Sequence, residues 1–123
     1  MQITYLNTTT SGTTPASQVN TDGRAIVIRK LIVGNPVSTG NITIHNNNVA
    51  LSNDTTTINF KLTLPTFSTT NPNVVPLVVD FRAGAMAGGG SAEADGLECS
   101  QGSSIVLDQT MQVLVLWDYA EGN

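Results

Sequence analysis

From Gly23 onward the chain is a succession of apolar runs of strand length, each closed by a cluster of turn-forming residues. The runs are RAIVIRKLIVG, NITIH, TINFKLTLP, VVPLVVDF, GLECS, SSIVLD and MQVLVLWDY, and the connections include NPVSTG, NNNVALSND and FSTTNPN. Between them lies no amphipathic stretch long enough to cross back over a sheet as a helix. The pattern therefore argues against βαβ units and predicts an all-β protein, an antiparallel β-sandwich of jelly-roll type with about seven to nine strands. At 123 residues, with no compositional break, one domain suffices to bury about two-thirds of the unfolded surface without disulfides or metal.

Only 11% of the residues are charged, whereas Thr (17) and Asn (12) are abundant, so polarity comes mainly from neutral side chains. Thr fits a pleated, half-buried surface and Asn fits turns, which agrees with many short strands. The stretch NTTTSGTTPASQVNTDG, Asn7 to Gly23, lacks apolar periodicity. Residues 1–23 are accordingly expected to form a polar N-terminal arm with a short strand at Ile3 and Tyr5, and residues 24–123 the sandwich.

The side-chain period separates the strands into two kinds. Ile58, Phe60, Leu62 and Leu64 alternate with Thr57, Asn59, Lys61 and Thr63, the signature of one inward and one wetted face. In the last run, Met111, Val113, Val115, Trp117 and Tyr119 share one parity, yet Leu114 and Leu116 occupy the other. In RAIVIRKLIVG, Ala25, Val27, Leu31 and Val33 share a face with Arg29, while Ile26, Ile28 and Ile32 share the other with Lys30. Either parity leaves large aliphatics outside a two-layer core, to be covered by another subunit or, failing that, by a loop or a mid-strand bulge. The residues assigned to a subunit interface are Arg29, Lys30, Leu114, Leu116, Trp117 and Tyr119, with core packing as the favoured other use of Trp117.

Chemistry-bearing patterns are sparse. His45 is the only histidine and ends a strand beside Asn46, Asn47 and Asn48, and no nucleophile elbow of G-x-S-x-G type occurs. The loop Ala83 to Gly96 contains Gly88, Gly89 and Gly90 but no phosphate-binding lysine, and Glu93 and Asp95 oppose an anion there. Glu93, Asp95 and Glu98 match no calcium-loop spacing. Cys99 is the only cysteine and reads as a small packed hydrophobe, and the N-x-Thr triplets at Asn7, Asn41 and Asn53 are chance matches in so Asn- and Thr-rich a chain. No catalytic residue, cofactor or metal site is expected, and enzymatic activity is not expected either.

The five basic residues, Arg24, Arg29, Lys30, Lys61 and Arg82, are scattered through a chain of net charge −4, so nucleic acid is not an expected partner. Neither a spanning helix nor a secretory signal is legible at MQITYLNTTTSG, which points to synthesis in a cytoplasm and no membrane partner.

From Arg24 to Tyr119, the turn LIVGNP after a long strand, then TGNITIH, TINFKLTLP, VPLVVDF, GLECSQGSSIVLD and the terminal MQVLVLWDY resemble the small jelly-roll decoration, or cement, proteins of tailed-bacteriophage capsids. The resemblance implies a homotrimer on the virion surface that braces the major capsid protein, with the segment Met1 to Gly23 as a candidate capsid-contacting arm. Similar sandwiches occur in phage fibres and tail appendages, which implies a carbohydrate- or receptor-binding module as the alternative.

Overall fold

The computed structural model describes residues 1–10, 13–34, 40–64, 76–81 and 96–120. Nearly all of the glycine-rich loop, residues 83–95 with the acids Glu93 and Asp95, lies outside the described residues. Among the described residues there are nine strands: β1 (Gln2–Leu6), β2 (Ser17–Gln18), β3 (Ile26–Gly34), β4 (Asn41–His45), β5 (Ile58–Thr63), β6 (Leu77–Asp80), β7 (Leu97–Cys99), β8 (Ser104–Leu107) and β9 (Gln112–Tyr119). They form two antiparallel sheets. One has the order β1-β9-β3-β6, with β7 also paired to β3, and the other has the order β2-β8-β4-β5.

The pairing rule is simple: β1 pairs with β9, β2 with β8, β3 with β6 and β7, and β4 with β5. The chain is thus a long hairpin doubled over on itself, its two arms rolled into two layers, which is the jelly-roll arrangement anticipated from the strand pattern. Between the layers, Ile26, Ile28, Leu31, Val33, Val113 and Val115 of one sheet meet Ile42, Ile44, Ile105 and Leu107 of the other, all without solvent exposure. Burial of each such aliphatic contributes about 1.5–3 kcal/mol, so this interlayer core is the main source of stability.

A β-bulge resolves the ambiguous parity of the long strand. The register of β3 against β9 shifts between Ile28 and Lys30, leaving Arg29 as the extra residue. Ile26 and Ile28 point inward before it and Leu31 and Val33 point inward after it, so a single strand buries residues of both parities. The bulge also marks where the neighbour of β3 changes: β7 lies opposite Ile26–Ile28 and β6 opposite Lys30–Val33. At Gly96, which leads into β7, an added Cβ would fall 2.6 Å from the Ile28 carbonyl oxygen, so only glycine permits this close approach.

The segment expected as an arm is instead stitched to both sheets. The short strand is there, but Ile3 and Tyr5 face outward while Thr4 and Leu6 face the core side. Further along, Ser17–Gln18 adds to β8, Pro15 bridges Leu51, and Thr10, Ala16, Val19 and Asn20 are buried. Backbone and side-chain hydrogen bonds take the place of an apolar pattern. The Thr10 amide donates to the Leu107 carbonyl, and the Asn20 Oδ1 accepts from the Ser103 amide at 3.0 Å.

Candidate functional site

The outward face of the five-stranded sheet carries a contiguous group of exposed apolar side chains. Register places Tyr5 beside Leu114, Leu114 beside Ile32, and Ile32 beside Val78, one apolar row across four strands. The adjacent row runs Ile3, Leu116, Lys30, Asp80. Ile3 is 65% exposed, Tyr5 54%, Val78 52% and Leu114 36%, with Ile32 and Leu116 half-buried between them. Because these side chains stand on alternate positions of neighbouring strands, they form one continuous patch rather than scattered exposures.

Charged groups flank the patch, held in ion pairs. Lys30 and Asp80 face each other at 3.8 Å. Arg29, turned to the same side by the bulge, holds Asp118 at 3.2 Å, and the Met1 ammonium reaches the other Asp118 oxygen at 3.0 Å. The ammonium first, and the guanidinium second, keep the Asp118 carboxyl below the usual carboxylate range. These exposed pairs orient side chains more than they stabilise the fold.

Of the six residues assigned to an interface, four lie on this side: Arg29, Lys30, Leu114 and Leu116. Trp117 and Tyr119 do not. Trp117 has the inward parity of β9, is 6% exposed, and donates its indole N–H to Thr4 Oγ1 at 2.9 Å. Tyr119 packs edge-on against Trp117, lies under the Arg24 guanidinium at 4.1 Å, and donates its hydroxyl to Asp22 at 2.7 Å. The two aromatics fasten Thr4, Asp22 and Arg24 to the last strand. The sequence reading missed Ile3, Tyr5 and Val78 as members of the face. For Ile3 and Tyr5 the signal was the alternation in QITYL, whereas Val78 lies within the unbroken apolar run Leu77–Val79 and is assigned a face only once its pairing partner is known.

Groups that carry chemistry are kept apart. His45 is fully buried at the end of β4, whereas Asp80 and Glu98 project from the outward face of the opposite sheet. Cys99 is buried among core residues, and that burial raises its thiol pKa, with the amide of Asn59 3.5 Å from the sulfur. Among the described residues, no three His, Cys, Asp or Glu side chains gather as metal ligands.

No protein-family model matches the chain, and no curated protein or solved structure is significantly similar to it.

Proposed function

We propose that the protein is a viral structural subunit: a capsid decoration protein that binds the outer capsid surface as a homotrimer and stabilises the shell by non-covalent bracing of the major capsid protein. The observation that carries this reading is the registered apolar row Tyr5–Leu114–Ile32–Val78 on the outside of a sheet whose inner face is already satisfied. The sequence resemblance to small jelly-roll cement proteins supports it.

The size of the patch explains why repetition matters. Six apolar positions, each about 4.8 Å across the strands and about 7 Å along them, give roughly 200 Å² of apolar surface. At about 25 cal/mol per Å² this is worth roughly 5 kcal/mol. Association costs on the order of 4–15 kcal/mol, so one such contact is marginal. Closing a threefold ring and seating it on several coat subunits makes the later contacts intramolecular and multiplies the weak ones.

The test has two parts. Light scattering of the purified chain at micromolar concentration gives a trimer, and Leu114→Glu gives a folded monomer. Added to undecorated shells, the wild type raises the temperature at which they break and Leu114→Glu does not. A wild type that is strictly monomeric, or shells that break at an unchanged temperature, overturns the reading.

A further inference from the structure

The outward faces of the two layers point in opposite directions, so whatever the five-stranded sheet rests on, the four-stranded sheet looks away from it. On that second face Val106 of β8, Thr43 of β4 and Lys61 of β5 stand side by side in register. They floor an open recess of about 250 Å³, walled by Thr10, Asn53 and the Asn41–Asp108 pair. Val106 faces outward by parity and is nevertheless only 8% exposed.

The walls are of two kinds. Asp108 is fixed: one carboxylate oxygen accepts the Asn41 backbone N–H at 2.6 Å and the other accepts the Asn41 side-chain amide at 2.8 Å. Thr63 in turn donates to Asn41 Oδ1 at 2.8 Å, and the Thr10 hydroxyl donates to the Leu107 carbonyl at 3.4 Å and accepts from its amide at 3.2 Å. Of the roughly four lone-pair sites of a carboxylate, about two therefore remain open in a preset orientation. The side chains of Thr43, Asn53 and Lys61, by contrast, make no hydrogen bond or ion pair with another described residue.

We propose that this recess binds one neutral pyranose ring of a glycan. A ring bearing adjacent hydroxyls needs a fixed acceptor and donors within one recess, and this lining supplies Asp108 as the acceptor and Asn53 and Lys61 as the donors. Lys61 and Asp108 cancel in charge, which disfavours a phosphate or a bare cation, and Val106 with the Thr43 methyl offers an apolar floor for the C–H edges of a sugar. The volume admits a single ring, and the absence of an aromatic platform among the lining residues sets a dissociation constant on the order of 1–10 mM. The proposal does not depend on the assembly reading.

Two-dimensional amide NMR of the full chain, titrated with the methyl glycosides of glucose, galactose, mannose and N-acetylglucosamine, tests it. At least one glycoside shifts the amides of residues 41–43, 53, 61 and 106–108 in a saturable manner. Lys61→Ala and Asn53→Ala, both at exposed positions, keep the spectrum of the fold and weaken that binding at least about fivefold, whereas Leu114→Glu leaves it unchanged. No saturable shift up to about 100 mM with any of the four, or shifts confined to other residues, overturns it.

Discussion

At the scale of single residues, His45 is the group whose environment leaves it least freedom. It has no solvent exposure, its Nδ1 lies 2.8 Å from Thr57 Oγ1, and its Nε2 meets no partner among the described residues. With the proton on Nδ1 the ring donates to Thr57 and leaves Nε2 as a bare lone pair. A second proton would bury an N–H with no acceptor, which is costly in a low-dielectric interior. Burial accordingly lowers the imidazole pKa, partly opposed by the nearby Asp54 carboxylate. The folded state therefore binds fewer protons than the unfolded one once the pH falls below about 6.5. The part of the stability that His45 governs is flat above that value, declines as pH drops through it, and levels off below the lowered folded-state pKa. The carboxyls of Asp22, Asp54 and Asp118 are also held low, but their contribution disappears only below about pH 4. Thermal unfolding followed from about pH 7 to pH 5 thus shows a falling Tm in the wild type and a flatter profile in His45→Gln; equal slopes would show that His45 titrates alike in both states.

At the scale of elements, the Arg29 bulge decides which side of β3 is inside. Deleting Arg29 restores plain alternation, so Leu31 and Val33 must leave the core or Ile26 and Ile28 must. Either way two large aliphatics are lost from the interior, roughly 3–6 kcal/mol. That is a large part of the about 5–15 kcal/mol available to a domain, and urea denaturation of the deletion variant should show it, with the midpoint collapsing rather than shifting slightly. The same bulge explains what could and could not be read in advance. The alternation of Ile58, Phe60, Leu62 and Leu64 exposed β5 directly, and the two-sided apolarity of β9 is real, with Leu114 and Leu116 outward. In β3 most of the apparent surplus disappears, because an extra residue changes the phase without any sequence signal of its own. β2 was illegible for a different reason. Ser17 and Gln18 join β8 by backbone hydrogen bonds, and buried Thr10 and Asn20 are held by polar contacts that a hydrophobic pattern does not contain. The recess walls share that difficulty: Asp108 and Asn41 are far apart in the chain and meet only through the β4–β8 ladder.

At the scale of the whole molecule, the doubled hairpin makes the first strand as necessary as the last. β1 covers the β9 edge along five residue pairs and contributes buried Leu6 and the Thr4 hydroxyl that holds Trp117. A chain lacking residues 1–6 loses these together, at least about 3 kcal/mol, and leaves a flat strand edge open to pairing with other copies. Size-exclusion chromatography and a denaturation curve should reveal a less stable, aggregation-prone protein; an unchanged midpoint would mean that β1 is only an appendage. The doubling has one more effect, on timing during synthesis. Gln2 finds its partner in Trp117, and among the described residues of the first half only β4 and β5 form a local strand pair, so an emerging chain has little to fold against until β9 has cleared the ribosome. Folding of this domain is therefore obliged to await synthesis of β9, and a nascent chain rich in threonine and asparagine, with its greasy segments short and interrupted, is well suited to wait in solution for that strand.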